Sequence, residues 1–222
     1  MNHKFLIFSC FLIVSISCRN RSADLEKFES ALGLEKSKVL TELTESFEAD
    51  YLEKKYPDVS LRQRYMNFME EMAKKNFPKR EEVIFDDNDK KYRTSGLMDS
   101  KYLFPDSVWI EDNGIITKWT YSKENGETES FENIRPVKSK NQIVLDSILA
   151  EEKKIVQFNH NGSFAKALDA VKDESDFINL YYELVSAAGL IGADILFTEV
   201  RDRKINITGP VERRVIVMHL VY

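Results

Sequence analysis

The chain has 222 residues, of which 43% are apolar and 31% charged, and its formal net charge is −5. That balance excludes a disordered chain, because enough apolar side chains are present to fill a core and charges of both signs are interspersed. The acidic surplus excludes electrostatic capture of nucleic acid or anionic headgroups, so no nucleic-acid partner is expected.

The first residues, MNHKFLIFSCFLIVSISC, place Lys4 before an uncharged apolar run from Phe5 to Ile16, with Ser15 and Ser17 close to Cys18. This is the three-part layout of a secretory signal peptide. Arg19 and Arg21 break the run after about a dozen residues, short of the roughly 20 that a membrane-spanning helix needs. At Cys18 the stretch resembles the lipobox of bacterial lipoprotein precursors, in which a small residue precedes a cysteine that is acylated and becomes the first residue of the mature chain. Ile16 and Ser17 match that pattern; Ser15 stands where an aliphatic residue is usual. The resemblance covers residues 1–18 alone, and it implies lipidation at Cys18, export, and a membrane as the partner of that anchor. Cleavage before Cys18 leaves about 205 residues in which it is the only thiol, so no internal disulfide can form. Two or more acyl chains hold a protein stably on a membrane, so the folded part need not touch lipid.

From Ser22 to Phe77 the apolar spacing is helical. Leu25, Phe28 and Leu32 lie on one stripe, with Ser22 as a cap and Gly33 as a stop; Val39, Leu40, Leu43, Phe47, Tyr51 and Leu52 lie on a second. Ser60 can cap a third helix whose inner face carries Leu61, Tyr65, Phe68, Met69 and Met72. Thioethers at Met66, Met69 and Met72 suit a soft metal ion, but no His or Cys stands nearby to complete a site, so they are read as core. Between Pro78 and Gly96 ten of nineteen residues are charged, which reads as a connector. Asp86, Asp87 and Asp89 begin like a calcium loop, yet Lys91 and Tyr92 break the ligand pattern.

After Pro105 the pattern changes to period two. Asn113-Gly114 and Asn125-Gly126 supply hairpin turns, and a three-stranded meander is expected. Two-residue turns set Trp109 opposite Lys118 and Val108 opposite Trp119. Val108, Ile110, Ile115, Trp119 and Tyr121 then form the buried face, with Trp109, Ile116 and Phe131 on the other. Trp109 is a stacking platform if open, or a packing residue if a helix covers it. The last third returns to helix, with Ser163 and Ser175 as caps and Gly189 as a stop, and ends in two expected strands, KINIT and RRVIVMHLVY, about the Gly209-Pro210 turn.

Chemistry is sparse. Nucleophile-elbow, P-loop, H-E-x-x-H and C-x-x-C patterns are absent, so no catalytic residue, cofactor or metal ligand is assigned. His160, between two asparagines in a loop, is a candidate ligand contact together with Trp109, while His219 is read as core. The GLIG sequence at 189–192 lacks the basic surroundings of an RNA-gripping loop. Arg201, Arg203, Lys204, Arg213 and Arg214 form a basic patch diluted by Asp202 and Glu212, and are read as solvated.

The expected organisation is a signal peptide over 1–17, a helical region over 18–77, a charged connector over 78–96 and an α+β region over 97–222, or alternatively one domain over 18–222. The expected function is a membrane-anchored envelope lipoprotein whose soluble domain binds a protein or glycan partner or supports an assembly without catalysis. The alternatives are an envelope hydrolase that uses carboxylates the sequence does not single out, and a glycan or small-ligand binder.

Overall fold

The computed structural model describes residues 23–83, 86–112, 114–123, 126–137, 141–207 and 209–220. Everything expected of Cys18 and Ser22, and of Asn113 and Asn125, lies outside them. No helix among the described residues is long and apolar enough to cross a membrane.

The architecture is α+β, with helices at both ends and an antiparallel meander between them. Helix α1 covers residues 23–32 and stops at Gly33, whose φ of 97° suits a residue without a side chain. Helix α2 (Leu34–Ser46) continues through a π-helical stretch (Phe47–Leu52) into a last turn (Glu53–Lys55). The Ser60 hydroxyl accepts from the Gln63 N–H at 3.3 Å and starts α3 (Leu61–Ala73), as its sequence position implies. Met69 and Met72 are buried with the aromatic residues of α2 and α3, so the methionine stripe is core.

The charged stretch 78–96 is partly helical among the described residues. It forms α4 (Arg80–Val83) and α5 (Asp86–Thr94), and Tyr92 is fully buried within the same apolar cluster that holds Phe28 and Met218. One aromatic residue per two helical turns is enough to pin a strip whose other faces are charged. Gly96 leads into α6 (Leu97–Lys101) and β1 (Tyr102–Leu103).

Strands β2 (Ser107–Glu111), β3 (Gly114–Ser122) and β4 (Thr128–Pro136) make the expected meander in order, with a corrected register. Trp109 faces Ile116 rather than Lys118, and Glu111 faces Gly114. The first turn therefore begins at Asp112, whose φ is 47°, one residue before the Asn-Gly pair. A shift of two along β3 keeps the face of every β2 residue. The second turn changes faces: Trp119 pairs with Phe131 because an odd number of residues closes the loop, so Phe131 lies with Trp119 and not with Trp109. Their rings stack with centroids 5.2 Å apart.

Helix α7 (Gln142–Glu152) follows, and its last residue meets the Trp119 side of the meander. The Thr117 hydroxyl donates to Glu152 at 3.4 Å and Arg135 pairs with the same buried carboxylate. Strand β5 (Gln157–Phe158) pairs antiparallel with β1. Helices α8 (Ser163–Asp169), α9 (Asp176–Ala188) and α10 (Ala193–Asp202) complete the shell, with α10 packed along α3.

The two carboxy-terminal strands are a second correction. Residues 204–207 of KINIT form no strand, and the described part of RRVIVMHLVY, residues 213–220, belongs to helix α11 (Pro210–Leu220). Pro210 occupies the first helical turn, where its missing N–H costs nothing, and Glu212 reaches back to accept the Gly209 N–H, which is half of a capping box. What reads as a turn signal is a helix start. Val211, Val215, Ile216, Val217 and Met218 are buried all around the axis, so the apolar run that suggested an internal strand is a central helix.

Candidate functional site

Two recesses compete for attention. The first, of about 420 Å³, lies where the start of α1 meets the turn before α9 and the start of α11. It is lined by Asp24, Asp173, Glu174, Asp176 and Glu212, and so gathers the carboxylates that a hydrolase would need. Burial, reinforced by Glu174 and opposed by Lys27, raises the Asp24 carboxyl above its ordinary value. Asp24, Glu174 and Glu212 are already engaged by neighbouring donors. Lys27 lies 2.6 Å from Glu174 and 3.8 Å from Asp24, while Glu212 caps α11 and accepts from the Ser175 hydroxyl at 2.5 Å. The seam ties three segments together.

The second recess, of about 480 Å³, is apolar and has a charged group at its floor. Its walls come from the α6–β1 junction, the segment after α7, β5, the α9–α10 loop and α11. Met98, Phe104, Val156, Leu190 and Ile191 supply the apolar surface. Lys101 sits at the base with 2% of its surface exposed. Its Nζ donates to the Met218 carbonyl at 2.7 Å and lies 4.7 Å from the centre of the Tyr102 ring. No acidic side chain pairs with it among the described residues. Beside it His219 lies edge-on to the Tyr181 and Phe197 rings, with Nδ1 3.5 Å from the Tyr181 hydroxyl.

The sequence builds this floor by a close backbone approach. The Asn159 N–H donates to the Lys101 carbonyl at 2.8 Å, and the Asn159 side chain donates to the Asp99 carbonyl at 3.0 Å. Gly162 lies so near the same segment that a methyl group in its place would fall 2.0 Å from the Ser100 carbonyl oxygen. Only glycine admits that approach, and the β5–α8 loop thereby clamps the end of α6 and fixes where Lys101 points.

Desolvation controls the chemistry of the two basic groups. Burial pushes the Lys101 ammonium down to about 7, so near neutral pH it exchanges between the charged and free-amine forms. Burial, with the Lys101 charge adding to it, pushes His219 down to about 3 and keeps it neutral. Burial raises the Tyr181 hydroxyl, which also stays neutral. One ammonium in an apolar, uncompensated setting can hold an anion strongly, since little water competes for it.

The two candidate ligand contacts, Trp109 and His160, lie elsewhere. Trp109 is half-buried on the meander, its indole N–H 3.2 Å from a Glu111 oxygen, and it lines neither recess. Trp119 is the shielded tryptophan, 1% exposed. His160 is exposed on the β5–α8 loop, edge-on to Phe158, beside a shallow depression near Lys166, Asp169 and Tyr182. The structure does not bring Trp109 and His160 together in one recess. The four arginines of the basic patch are in ion pairs, Arg201 with Asp202, Arg203 with Glu199, Arg213 with Glu48 and Arg214 with Glu29, while Lys204 lines the first recess beside Arg203. Leu190 and Ile191 of GLIG line the apolar recess. Asp89 pairs with Arg93 on α5, and no cluster among the described residues could hold a metal ion.

Sequence reasoning missed Lys101. The available signal was slight: Tyr102, Leu103 and Phe104 follow the lysine, but Asp99 and Ser100 stand directly before it and give it the look of a polar helix end.

No family model matches the chain, and comparison with curated proteins and with solved structures returns no match.

Proposed function

We propose that the chain is an exported, lipid-anchored envelope protein whose folded domain binds a small apolar ligand without transforming it. The binding half is carried by the apolar recess of about 480 Å³, a size usual for small-molecule sites, with few polar groups converging on it. The anchor half is carried by the apolar leader that ends at Cys18. The two fit one another: an acyl anchor holds the domain at a membrane surface, where apolar molecules are concentrated, and leaves the domain free to face the aqueous side. The catalytic alternative is weaker because the carboxylates that converge are those of the acidic seam, where Lys27 and Ser175 engage Glu174 and Glu212.

The anchor is tested by Cys18→Ala and fractionation of the producing cells. The parent protein is expected in the membrane fraction as an acylated species and the variant as an unacylated, uncleaved precursor. Acylated, processed variant in the membrane fraction sinks the anchor reading.

The recess is tested with N-phenyl-1-naphthylamine, a neutral apolar fluorophore. Saturable binding at one site per chain is expected. Leu190→Trp places a large ring where Leu190, 43% exposed, now stands at the wall, and is expected to weaken binding at least tenfold. Equal binding by parent and variant places the dye elsewhere and removes the support for this site.

A further inference from the structure

We infer that the recess holds an amphiphilic monocarboxylate, with the carboxylate against the Lys101 ammonium and the hydrocarbon chain along the apolar wall; this rests on the reading of the recess as a binding site. An ammonium has three hydrogens to donate, and the Met218 carbonyl is the one acceptor that Lys101 meets among the described residues. A charge buried to this degree ordinarily has a counter-charge, because the cost of removing it from water is otherwise uncompensated. Here no carboxylate lines the recess. An acidic ligand supplies what the chain does not.

The walls select the rest of that ligand. Met98, Phe104, Leu190 and Ile191 offer hydrocarbon and no acceptors, which suits an alkyl chain and not a sugar, whose hydroxyls would go unsatisfied. Lys153 and Lys154 also line the recess, both exposed at its mouth and Lys154 paired with Glu151, so they add no second charge at the floor, where the Lys101 ammonium alone repels a cationic head. The head group must also be compact and singly charged. A phosphate monoester carries about −1.5 to −2 near neutral pH, more than one floor ammonium can neutralise in an apolar setting, whereas a carboxylate matches it charge for charge. The close contact of Gly162 with Ser100 matters here too, since it fixes the segment that carries Lys101 before any ligand arrives.

The experiment compares three probes with one tail on the intact chain, each below its micelle concentration: dodecanoate, dodecanol and dodecyltrimethylammonium, followed by displacement of N-phenyl-1-naphthylamine. Dodecanoate is expected to bind at least tenfold more tightly than dodecanol, and the cation more weakly than either. In Lys101→Met the preference should vanish, with dodecanoate falling to the level of dodecanol while dodecanol is retained, which also shows that the variant is folded. Equal binding of dodecanoate and dodecanol to the parent overturns the head-group assignment and leaves the apolar recess standing; this comparison needs no variant. Persistence of the preference in Lys101→Met likewise overturns it. Failure of all three probes to displace the dye overturns the recess as an amphiphile site altogether, and this inference with it.

Discussion

Lys101→Met is expected to raise folding stability at pH 7 by on the order of 2–4 kcal/mol and to flatten its dependence on pH above neutrality. In the fold, burial holds the amine at about 7, while in the unfolded chain it returns to its ordinary value of 10.5. Between those values the unfolded chain binds a proton that the folded chain has released. Stability therefore rises with pH across that window, and the penalty is complete below about pH 7. Methionine fills nearly the same volume without the charge, and so removes the penalty and the slope together; the lost hydrogen bond to the Met218 carbonyl offsets part of the gain. The two other buried ionisable groups beside Lys101 shift in ways that do not imitate it. His219 shifts in the same direction but lower, its folded value of about 3 lying below an ordinary 6.5, so its contribution is lost as pH falls from 6.5 toward 3. Tyr181 is raised by burial, the opposite direction from Lys101; of the charged groups that face the recess, Arg93 pairs with Asp89, Lys154 pairs with Glu151, and Lys153 is exposed. Urea unfolding at pH 6, 8 and 10 checks the prediction. A parent and variant whose stabilities run parallel from pH 7 to 10 would show that Lys101 is solvated in the folded chain.

The helices at the amino end were legible because their apolar residues repeat at three and four, and capping residues mark where they begin. Ser60 and Gly33 act where their chemistry says they should. The failures have one physical theme, which is that local signals are shared between structures. Gly209-Pro210 begins a helix as readily as it makes a turn, and only Glu212 two residues on, reaching back to the Gly209 N–H, decides for the helix. The β-branched run Val215, Ile216 and Val217 is apolar on all sides in either conformation, because a helix at the centre of a bundle has no polar face to show periodicity. Phe131 changed faces because the length of a loop, which composition leaves open, sets the register. The recess was illegible for a stronger reason. Its floor joins Lys101, Tyr181 and His219 across more than a hundred residues, and none belongs to a pattern that announces chemistry. Trp109 and His160 stand out by residue type, whereas Lys101 matters through burial, which type does not reveal.

Phe68→Ala is expected to cost about 3–5 kcal/mol, a large fraction of the roughly 5–15 kcal/mol that holds a domain folded. Phe68 is wholly buried on α3, and its ring stands edge-on to Phe47 at 5.3 Å, Tyr51 at 5.8 Å and Phe197 at 6.4 Å. It thus joins the π-helical stretch of α2 to α10 from the opposite end of the sequence. The π-helical stretch contributes to this arrangement: Phe47 and Tyr51 stack within it at 5.5 Å and present both rings to α3. Removing one ring takes away its own transfer free energy, leaves a cavity that three neighbours cannot close without moving two helices, and deletes edge contacts worth about 0.5–1.5 kcal/mol apiece. Phe131→Ala provides the contrast. That ring also touches an aromatic partner, Trp119, but it is 38% exposed on an outer strand, so truncation opens a notch that water fills, and a loss of about 1 kcal/mol is expected. Denaturant unfolding of both variants, with equal slopes in denaturant so that the midpoints compare stability alone, decides the matter. Near-equal losses would mean that the aromatic cluster is not the joint between the amino-terminal helices and α10. A loss at Phe68 several times that at Phe131 is what a joint formed by buried edge contacts requires.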